Sequence, residues 1–339
     1  MDRGKGGCDL KPIKAQISGV GKYAPEKVLS NLDLEKMVDT NDEWISSRTG
    51  IKRRHIAADN ETTSTMAAEA GRKAIENAGL KPEDIEMVIV ASLSPDMMFP
   101  ASACLVQDIL KLPKAGTVDV SAACSGFVYA FSMAAGYIAM GLHKNVLVIG
   151  SEVMSRFVDW KDRNTCVLFG DGAGAVVLSA VDQNSPSEVI DFILGGDGSG
   201  GDQLSLPAGG SKMPATHETV DQGMHYLKMA GNNVFKFAVR TMTDITVEIL
   251  NRNNLTADKV KLVVPHQANF RINDAVRERL GMTEAQMFNN IFEYGNTSGA
   301  TIPLGLAEAV EQNLLKRGDY VIFVSFGGGF TWGVSLIKW

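Results

Sequence analysis

Three nearly continuous apolar runs predict buried strands: MVIVASL at 87–93, VLVIGSE at 146–152 and YVIFVSF at 320–326. Strands that are apolar on both sides are typical of sheets covered by helices on both faces. Between them, TTSTMAAEAGRKAIENAGL at 62–80 has the apolar spacing of a helix, with a stop signal at Gly79. The pattern predicts an α/β fold.

The order of elements repeats along the chain. A strand, a Gly-rich turn and a second strand occur at 143–180 and again at 317–339. A further similarity relates 117–125 to 260–269, where an apolar strand ends at a residue of reactive type and a helix follows. We therefore expect two similar halves.

The boundary between the halves is predicted in the polar stretch DQNSPSEV at 182–189. This gives an N-terminal half over 13–184, which carries Cys124, and a C-terminal half over 185–339. The longest segment without periodicity, 195–223, is expected to be a functional or disordered loop.

Composition and charge narrow the function. The chain has 339 residues, 45% of them hydrophobic, which is enough for a large core. Its 33 Lys and Arg against 39 Asp and Glu give a net charge of −6, so nucleic acid and membrane are not expected as partners. The first residues have no apolar signal-peptide core and no later apolar run reaches the ~18 residues of a membrane helix. These features predict a soluble, cytoplasmic protein.

Four cysteines, Cys8, Cys104, Cys124 and Cys166, are widely spaced and form no CxxC pair. This spacing argues against a disulfide framework and against a structural zinc site, so we expect no metal. Each thiol has to be considered alone. Cys104 and Cys166 are predicted to be core thiols.

Cys124 has two interpretations. Small residues surround it in SAACSGF, which suits a buried core cysteine. However, a strand ending near Val120 and a helix beginning near Ser125 would place it at a helix N-terminus, where the helix dipole favours a thiolate nucleophile. The small neighbours would then leave room for a substrate carbonyl.

Two polar residues lie in similarly ambiguous contexts. His266 follows an apolar strand in VVPHQAN and is either a satisfied polar residue or a functional group. Asn296 in EYGNTSGA suits an ordinary turn, but its amide is also able to donate to an oxyanion.

Glycine clusters occur at SFGGGFTWG (325–333) and GDGAGA (170–175). A nucleotide-binding loop would be followed by a helix whose N-terminus holds phosphate, whereas strand-like sequence follows here. Close approach of the backbone to another group is the better interpretation.

Taken together and in this order, AACSGF, PHQAN, GNTSGA, FGDGAGA and FGGGFTWG closely resemble the β-ketoacyl-acyl carrier protein synthase III family. DEWISSRTGI at 42–51, FPASAC at 99–104 and MAGNNVFKFAV at 229–239 extend the resemblance over about 17–339. It implies a thiolase-like, duplicated five-layer α/β/α/β/α fold and a homodimer.

The resemblance also implies the activity. An acyl-CoA primer acylates a cysteine and malonyl-acyl carrier protein (malonyl-ACP) then decarboxylates and condenses with it, as the first condensation of type II fatty acid synthesis. Acyl-CoA and malonyl-ACP are substrates, and no cofactor is implied.

The implied catalytic residues are a nucleophile and its supporting donors. Cys124 is expected to carry the acyl group. His266, in its neutral form, and Asn296 are expected to stabilise the enolate as N–H donors. The backbone N–H groups of Cys124 and Gly328 would form the oxyanion hole, and Phe326 would assist decarboxylation.

The implied binding residues line a path for coenzyme A. Trp44 and Arg48 match residues that sandwich the adenine, Arg163 matches another adenine contact, and Asn232 and Asn269 match the pantetheine tunnel. Trp44 alone would also suit a half-buried helix position.

The acyl pocket is expected to involve Leu168, Phe169 and Phe235. Phe99 is expected to reach across the dimer into the pocket of the second subunit.

A basic helix is expected at 268–282, where a docking surface for the acidic carrier protein would include Arg271, Arg277 and Arg279. Arg271 matches the docking arginine of the family. Glu278 departs from the family pattern, and the helix also suits an ordinary solvated face.

Alternative functions are a related Cys-His-Asn condensing enzyme of secondary metabolism, a papain-like cysteine hydrolase and a non-catalytic thiolase-fold subunit. The hydrolase shares the chain order Cys, His, Asn but lacks the local pattern around its cysteine. A non-catalytic subunit would lose the cysteine or the histidine.

Overall fold

The structure is a computed structural model that describes residues 12–339, and Cys8 lies outside them. Its strands are β1 Lys14–Tyr23, β2 Val28–Ser30, β3 Arg53–His55, β4 Met87–Ala91, β5 Gly116–Val120, β6 Asn145–Val153, β7 Asp171–Val181, β8 Glu188–Gly196, β9 Leu204–Ser205, β10 Lys228–Met229, β11 Val260–Pro265, β12 Tyr320–Gly327 and β13 Thr331–Lys338. Its α-helices are α1 Asn31–Leu34, α2 Asp42–Thr49, α3 Thr63–Asn77, α4 Ser102–Ile109, α5 Gly126–Ala139, α6 His217–Asp221, α7 Gly231–Arg252, α8 Phe270–Arg279, α9 Ile291–Tyr294 and α10 Thr301–Glu311.

Two sheets form the centre of the molecule. The first has the order β1-β7-β6-β4-β5 and the second the order β8-β13-β12-β11. In each sheet an antiparallel pair, β6-β7 or β12-β13, adjoins a parallel neighbour, β4 or β11. The sheets therefore have equivalent topologies, and the similarity of 143–180 to 317–339 is confirmed.

The proposed equivalence of 117–125 and 260–269 is wrong. The strand before His266 is β11, which occupies the position of β4 beside the antiparallel pair, whereas the strand before Cys124 is β5 at the edge of its sheet. The second sheet has four strands, and the place that β5 takes in the first sheet is held there only by an isolated parallel bridge between Val263 of β11 and Met287. The two local sequences are similar because both strands end at the site, although the strands do not occupy equivalent positions in their sheets.

The molecule has five layers, which are packed together by three large apolar cores. Helices α3 and α4 cover one face of the first sheet, α5 and α10 lie between the sheets, and α7 and α8 cover the far face of the second sheet. The arrangement is α/β/α/β/α, as the resemblance implied. Strands β4, β6 and β12 are buried almost throughout, because helices shield both of their faces.

The local predictions near the site also agree with the structure. Helix α3 ends at Asn77, and Gly79 has a positive φ of 68°. Strand β5 ends at Val120 and α5 begins at Gly126. Among the described residues, we find no helix of the length and apolarity required to cross a bilayer.

Gly150 in β6 is a position where the backbones of the two halves approach closely. A Cβ there would lie 2.3 Å from the carbonyl oxygen of Gly299 and 3.0 Å from Cα of Ala300, which is backbone that cannot turn aside. We predict that Gly150→Ala lowers the free energy of unfolding by about 1–3 kcal/mol, because the loop must move away from β6. Chemical unfolding would measure this. Gly198→Ala is the control, since its Cβ would meet no atom within 4 Å, and equal stability of both variants would contradict the prediction.

Candidate active site

Cys124, His266 and Asn296 line one cavity of about 480 Å³. Cys124 follows β5, His266 follows β11 directly, and Asn296 lies between α9 and α10. All three are buried, with exposed fractions of 6%, 3% and 6%. Residues from both halves of the chain thus meet in this cavity.

Cys124 lies in a tight turn between β5 and α5. Ala123 has a positive φ of 46°, and a 3₁₀ turn over Ala123–Ser125 leads into the helix. Burial raises the pKa of Cys124 to about 12, while the Ser298 hydroxyl and the backbone N–H groups of Cys124 and Gly328 act in the opposite direction. The helix start is where the sequence predicts it. The thiolate expected from the sequence is therefore not the resting form of Cys124. Desolvation raises the pKa of the thiol by more than these contacts lower it, so the thiol keeps its proton at neutral pH.

His266 is neutral in this environment. Burial lowers the pKa of its imidazole to about 3. Its Nδ1 lies 2.7 Å from Oγ1 of Thr301, the first residue of α10, and its backbone N–H donates to the carbonyl of Val324. The ring is therefore fixed between the second sheet and α10.

Asn296 is oriented by the backbone. Its Oδ1 accepts a hydrogen bond of 2.8 Å from the N–H of Ser298, so the amide nitrogen is left to donate elsewhere. Its own N–H donates to Leu168 and its carbonyl accepts from Gly170. These two bonds fasten the loop of the second half to the first half.

The glycine run after β12 meets the cysteine turn. A Cβ at Gly327 would lie 2.8 Å from the backbone nitrogen of Cys124 and 3.0 Å from that of Ser125. Only glycine therefore allows this approach, which brings Gly328 to the cavity. Phe326 is buried beside it, with its ring 5.3 Å from that of Phe330.

Four of the five residues expected to bind coenzyme A line the cavity. Trp44, Arg48, Asn232 and Asn269 line it. Arg163 is not among the lining residues, but its guanidinium lies 4.6 Å from the centre of the Trp44 ring, and that of Arg48 lies 5.6 Å from it.

Both polar groups of Asn269 are already engaged. Its Oδ1 caps α8 by accepting from the N–H of Arg271, and its Nδ2 donates to the carbonyl of Arg48. In this structure, therefore, Asn269 ties α8 to α2 at the rim of the cavity.

The expected acyl-pocket residues separate into two groups. Leu168, Phe169 and Phe235 line the cavity, with the guanidinium of Arg271 5.8 Å from the Phe235 ring. Phe99 lies outside the cavity of its own chain and is 85% exposed.

The three arginines of α8 have different surroundings. Arg271 is exposed at the cavity rim, and Arg279 is exposed at the end of the helix. Arg277 pairs with Asp274 at 2.6 Å and lies 3.6 Å from Glu278. Its charge is therefore largely compensated within the helix.

Several lining residues were missed by the sequence analysis. Further apolar side chains come from segments scattered between 93 and 242, with no shared motif, and they include Leu93, Met154, Leu204, Leu227 and Met229. Ser298 was within the quoted GNTSGA motif, and its hydroxyl lies 3.6 Å from Cys124 Sγ.

The remaining described cysteines are not in the cavity. Cys166 is buried, as predicted, and burial raises the pKa of its thiol to about 11. Cys104 is only partly buried, so its prediction as a core thiol is wrong: it lies on α4 beside the edge strand β5, with Sγ 3.2 Å from Thr117 Oγ1. Within residues 12–339 we find no cluster of His, Cys, Asp and Glu suited to a metal ion.

Comparison with known proteins gives a consistent family. Residues 118–198 match the family described as 3-Oxoacyl-[acyl-carrier-protein (ACP)] synthase III, and residues 250–339 match its C-terminal family. The Beta-ketoacyl-[acyl-carrier-protein] synthase III of Caldanaerobacter subterraneus subsp. tengcongensis is 51% identical over 327 residues, which cover 96% of this chain and 98% of that protein.

Solved structures agree with this family. The 3-oxoacyl-[acyl-carrier-protein] synthase III of Aquifex aeolicus superposes with a TM-score of 0.88 at 44% identity, covering 96% of this chain and 100% of that chain. The priming beta-ketosynthase of the R1128 polyketide biosynthetic pathway gives 0.90 at 32% identity, covering 98% of each chain. With half of its residues identical to those of a relative over nearly the whole length, and with its fold and cavity in agreement, the chain belongs to the 3-oxoacyl-acyl carrier protein synthase III family of condensing acyltransferases.

Proposed function

We propose that the protein condenses an acyl-CoA primer, acetyl-CoA or a similar one, with malonyl-ACP to initiate type II fatty acid biosynthesis. The supporting observation is the meeting of Cys124, His266 and Asn296 in one cavity whose far end carries Trp44 and Arg48. Thioester exchange followed by decarboxylation requires such groups: a nucleophile, two potential hydrogen-bond donors, and an entrance with aromatic and cationic side chains.

Acylation comes first. The sulfur of Cys124 attacks the thioester carbonyl of acyl-CoA, and the bond between that carbon and the CoA sulfur breaks. The negative oxygen of the intermediate lies against the backbone N–H groups of Cys124 and Gly328. This placement is supported by the close packing of Gly327 against the backbone nitrogen of Cys124 and by the presence of Gly328 and Cys124 in the lining of the same cavity.

Decarboxylation requires N–H donors in a dry site. The amide nitrogen of Asn296 is available because Ser298 N–H holds the amide oxygen. For His266, the ring proton must be on Nε2, which requires Nδ1 to accept from Thr301. In this structure the Thr301 hydroxyl donates to the Ser298 carbonyl at 2.9 Å. The proposed role therefore requires that hydroxyl to turn to Nδ1, 2.7 Å away, while the carbonyl keeps the Thr301 backbone N–H as its donor.

Condensation completes the cycle. Carbon dioxide leaves the malonyl group, and the electron pair of the broken C–C bond forms an enolate held by His266 and Asn296. The enolate carbon attacks the acyl group on Cys124, and the C–S bond breaks with its electron pair going to sulfur. The resulting thiolate takes up one proton from solvent after the product leaves, which regenerates the thiol. Buried Phe326 keeps water from this step. No metal or other cofactor takes part.

The binding roles follow the cavity. The adenine of CoA would insert at Trp44 beside Arg48 and Arg163, and the pantetheine arm would pass Asn232 and Asn269 toward the cysteine. Acyl carrier protein would dock at Arg271, supported by its exposure at the rim. Arg279 would add to that surface, while Arg277 contributes less because Asp274 pairs with it.

A homodimer in the cytoplasm is part of the proposal. Strand β5 is the edge of its sheet and presents unpaired backbone groups. Nearby, Met97, Met98 and Phe99 are 47%, 81% and 85% exposed, and an apolar patch of this kind is typical of an association surface. Phe99 would enter the cavity of the second subunit.

The hydrolase alternative is disfavoured by the asparagine. In a Cys-His-Asn hydrolase the asparagine orients the histidine ring. Here Asn296 Oδ1 accepts from Ser298, and Thr301 is the partner of His266 Nδ1. The shared chain order therefore does not correspond to shared geometry.

We predict that acetyl-CoA transfers its acyl group to Cys124. Peptide mass spectrometry after incubation should find the adduct on Cys124, with Cys104 and Cys166 in the same sample as internal controls. Active protein that shows no adduct at Cys124 would refute the assignment of the nucleophile.

Substitutions of the three residues should also affect the acylation and decarboxylation steps differently. Cys124→Ala should abolish acylation, because no nucleophile remains. His266→Ala and Asn296→Ala should acylate within about tenfold of wild type but lose malonyl-ACP decarboxylation by about 100- to 1,000-fold, the usual effect of removing an oxyanion donor. Rapid-quench acylation and carbon dioxide release would measure the two steps, and an equal loss of acylation in all three variants would sink this division.

His266 should stay neutral across the working range. Since burial lowers its pKa to about 3, its ring nitrogens should not titrate between pH 8 and 5, and Nε2 should carry the proton. Nitrogen-15 NMR of histidine-labelled protein would show this, with His266→Gln to assign the signal. A signal that titrates near the ordinary histidine value of about 6.5 would contradict the prediction.

A further inference from the structure

Ser298 is a buried residue of the cavity lining that connects the surroundings of all three catalytic residues. Its backbone N–H donates to Oδ1 of Asn296 at 2.8 Å. Its carbonyl accepts from Thr301 Oγ1, which in turn lies 2.7 Å from His266 Nδ1. Its hydroxyl donates to Cys124, with Oγ and Sγ 3.6 Å apart. The backbone of Ser298 therefore positions the other donors, whereas its hydroxyl faces the reacting atom and has no role in the proposed reaction.

The turn at this position does not itself require serine. The φ of Ser298 is 48°, in the left-handed region where residues other than glycine are uncommon. Glycine would adopt this conformation at a lower cost. A strained residue of this kind is often found at a functional site, and the hydroxyl is what serine adds here.

Glu152, a buried carboxyl group near the end of β6, is another acceptor close to this loop. Backbone N–H groups and hydroxyls other than that of Ser298 supply it with five hydrogen bonds. These donors are the N–H groups of Leu93 at 3.1 Å, Ser94 at 3.2 Å and Gly299 at 3.2 Å, and the hydroxyls of Ser92 at 3.1 Å and Ser94 at 2.6 Å. A carboxyl group with this many donors does not depend on Ser298, so the proton of the Ser298 hydroxyl is left for the sulfur.

The Cys124 sulfur has to carry negative charge in both halves of the proposed reaction. In acylation the thiol loses its proton, which ends on the departing CoA thiol. In condensation the C–S bond breaks and its electron pair goes to the sulfur. Burial opposes this charge by raising the pKa of Cys124 to about 12, and the nearby Glu152 acts in the same direction, whereas the hydrogen bond from Ser298 lowers the pKa. A hydroxyl donor at Sγ therefore reduces the cost of charging a buried sulfur.

We propose that Ser298 is a further catalytic residue, whose hydroxyl stabilises the charged sulfur of Cys124 by a direct hydrogen bond. A hydroxyl binds a thiolate more strongly than a thiol, so it favours the charged form. Ser298 keeps its own proton in both steps, and the proposed reaction therefore needs no additional proton acceptor. The backbone N–H groups of the oxyanion hole act on the substrate oxygen, while Ser298 acts on the sulfur.

The test replaces Ser298 by Ala and by Gly, because both remove the hydroxyl but only Gly relieves the backbone strain. In each variant, transfer of the acetyl group from acetylated protein to malonyl-ACP should slow by about tenfold, close to the difference between a neutral and a charge-assisted hydrogen bond. Acylation by acetyl-CoA should slow by only about threefold, because the thiolate that forms less often is also more nucleophilic. Single-turnover kinetics would measure both steps. Wild-type rates in Ser298→Gly would overturn the proposal, since strain rather than the hydroxyl would then explain any loss in Ser298→Ala.

Two controls isolate the sulfur. Ser92→Ala should keep both rates within about 1.5-fold of wild type, because the Ser92 hydroxyl donates to Glu152 and not to Cys124. In a Cys124→Ala chain, adding Ser298→Ala should leave malonyl-ACP decarboxylation within about twofold, since no sulfur charge remains to be stabilised. A further tenfold loss in this sulfur-free chain would show that Ser298 acts only by positioning the other donors, and would contradict a direct role.

The inference rests on the proposed acylation of Cys124, and alkylation by iodoacetamide distinguishes the two. This reagent needs neither acyl-CoA nor carrier protein, and peptide mass spectrometry follows its addition to Cys124. At pH 8 both Ser298 variants should be alkylated about threefold more slowly than wild type. Unchanged alkylation in both variants would overturn the role of Ser298 alone. Slower alkylation in variants of a protein whose wild type takes no acetyl group would instead support the hydrogen bond and refute the proposed function.

Discussion

The contact between β6 and the loop that begins at Asn296 holds the site together. Gly150 allows the carbonyl of Gly299 to approach the strand, and Glu152, two residues later, accepts the N–H of the same glycine. Asn296 is fastened to the first half by its backbone bonds to Leu168 and Gly170. Donors from one half thus reach a nucleophile from the other without any flexible connection, and a small shift of this loop would move all of them together.

Burial then determines the charge state of the site. It raises the pKa of Cys124 and of Glu152 and lowers that of His266, so desolvation disfavours the charged form of each of these three groups. Substrate charge developing in the cavity is met by oriented N–H groups, which do not need to reorganise. The same burial hinders proton transfer, because the proton of the buried thiol cannot pass directly to water that the cavity excludes.

The sequence predicted the elements better than their relationships. Strands such as β4, β6 and β12 were predictable because helices on both faces demand apolar residues at nearly every position. The equivalence of β5 and β11 was wrong, since sheet order depends on contacts distant in sequence. The family motifs predicted Cys124, His266 and Asn296 together, whereas the protonation state of Cys124 depends on burial that only the packed halves produce. Glu152 ends an apolar run that predicted a strand, but nothing in the local sequence indicated that its carboxylate accepts the N–H of Gly299 from the other half.

In the proposed homodimer, primer size would depend on the assembly rather than on one chain. The lining of the cavity is largely apolar and includes Met154, Leu227 and Met229, and methionine side chains adapt easily to different occupants. The volume of about 480 Å³ belongs to a single chain. In the proposed homodimer, Phe99 of a second copy would take up part of it, so the volume sets an upper limit on what primer and pantetheine share. Exposed Phe99, and not the catalytic residues, is then the position from which primer length is most directly controlled.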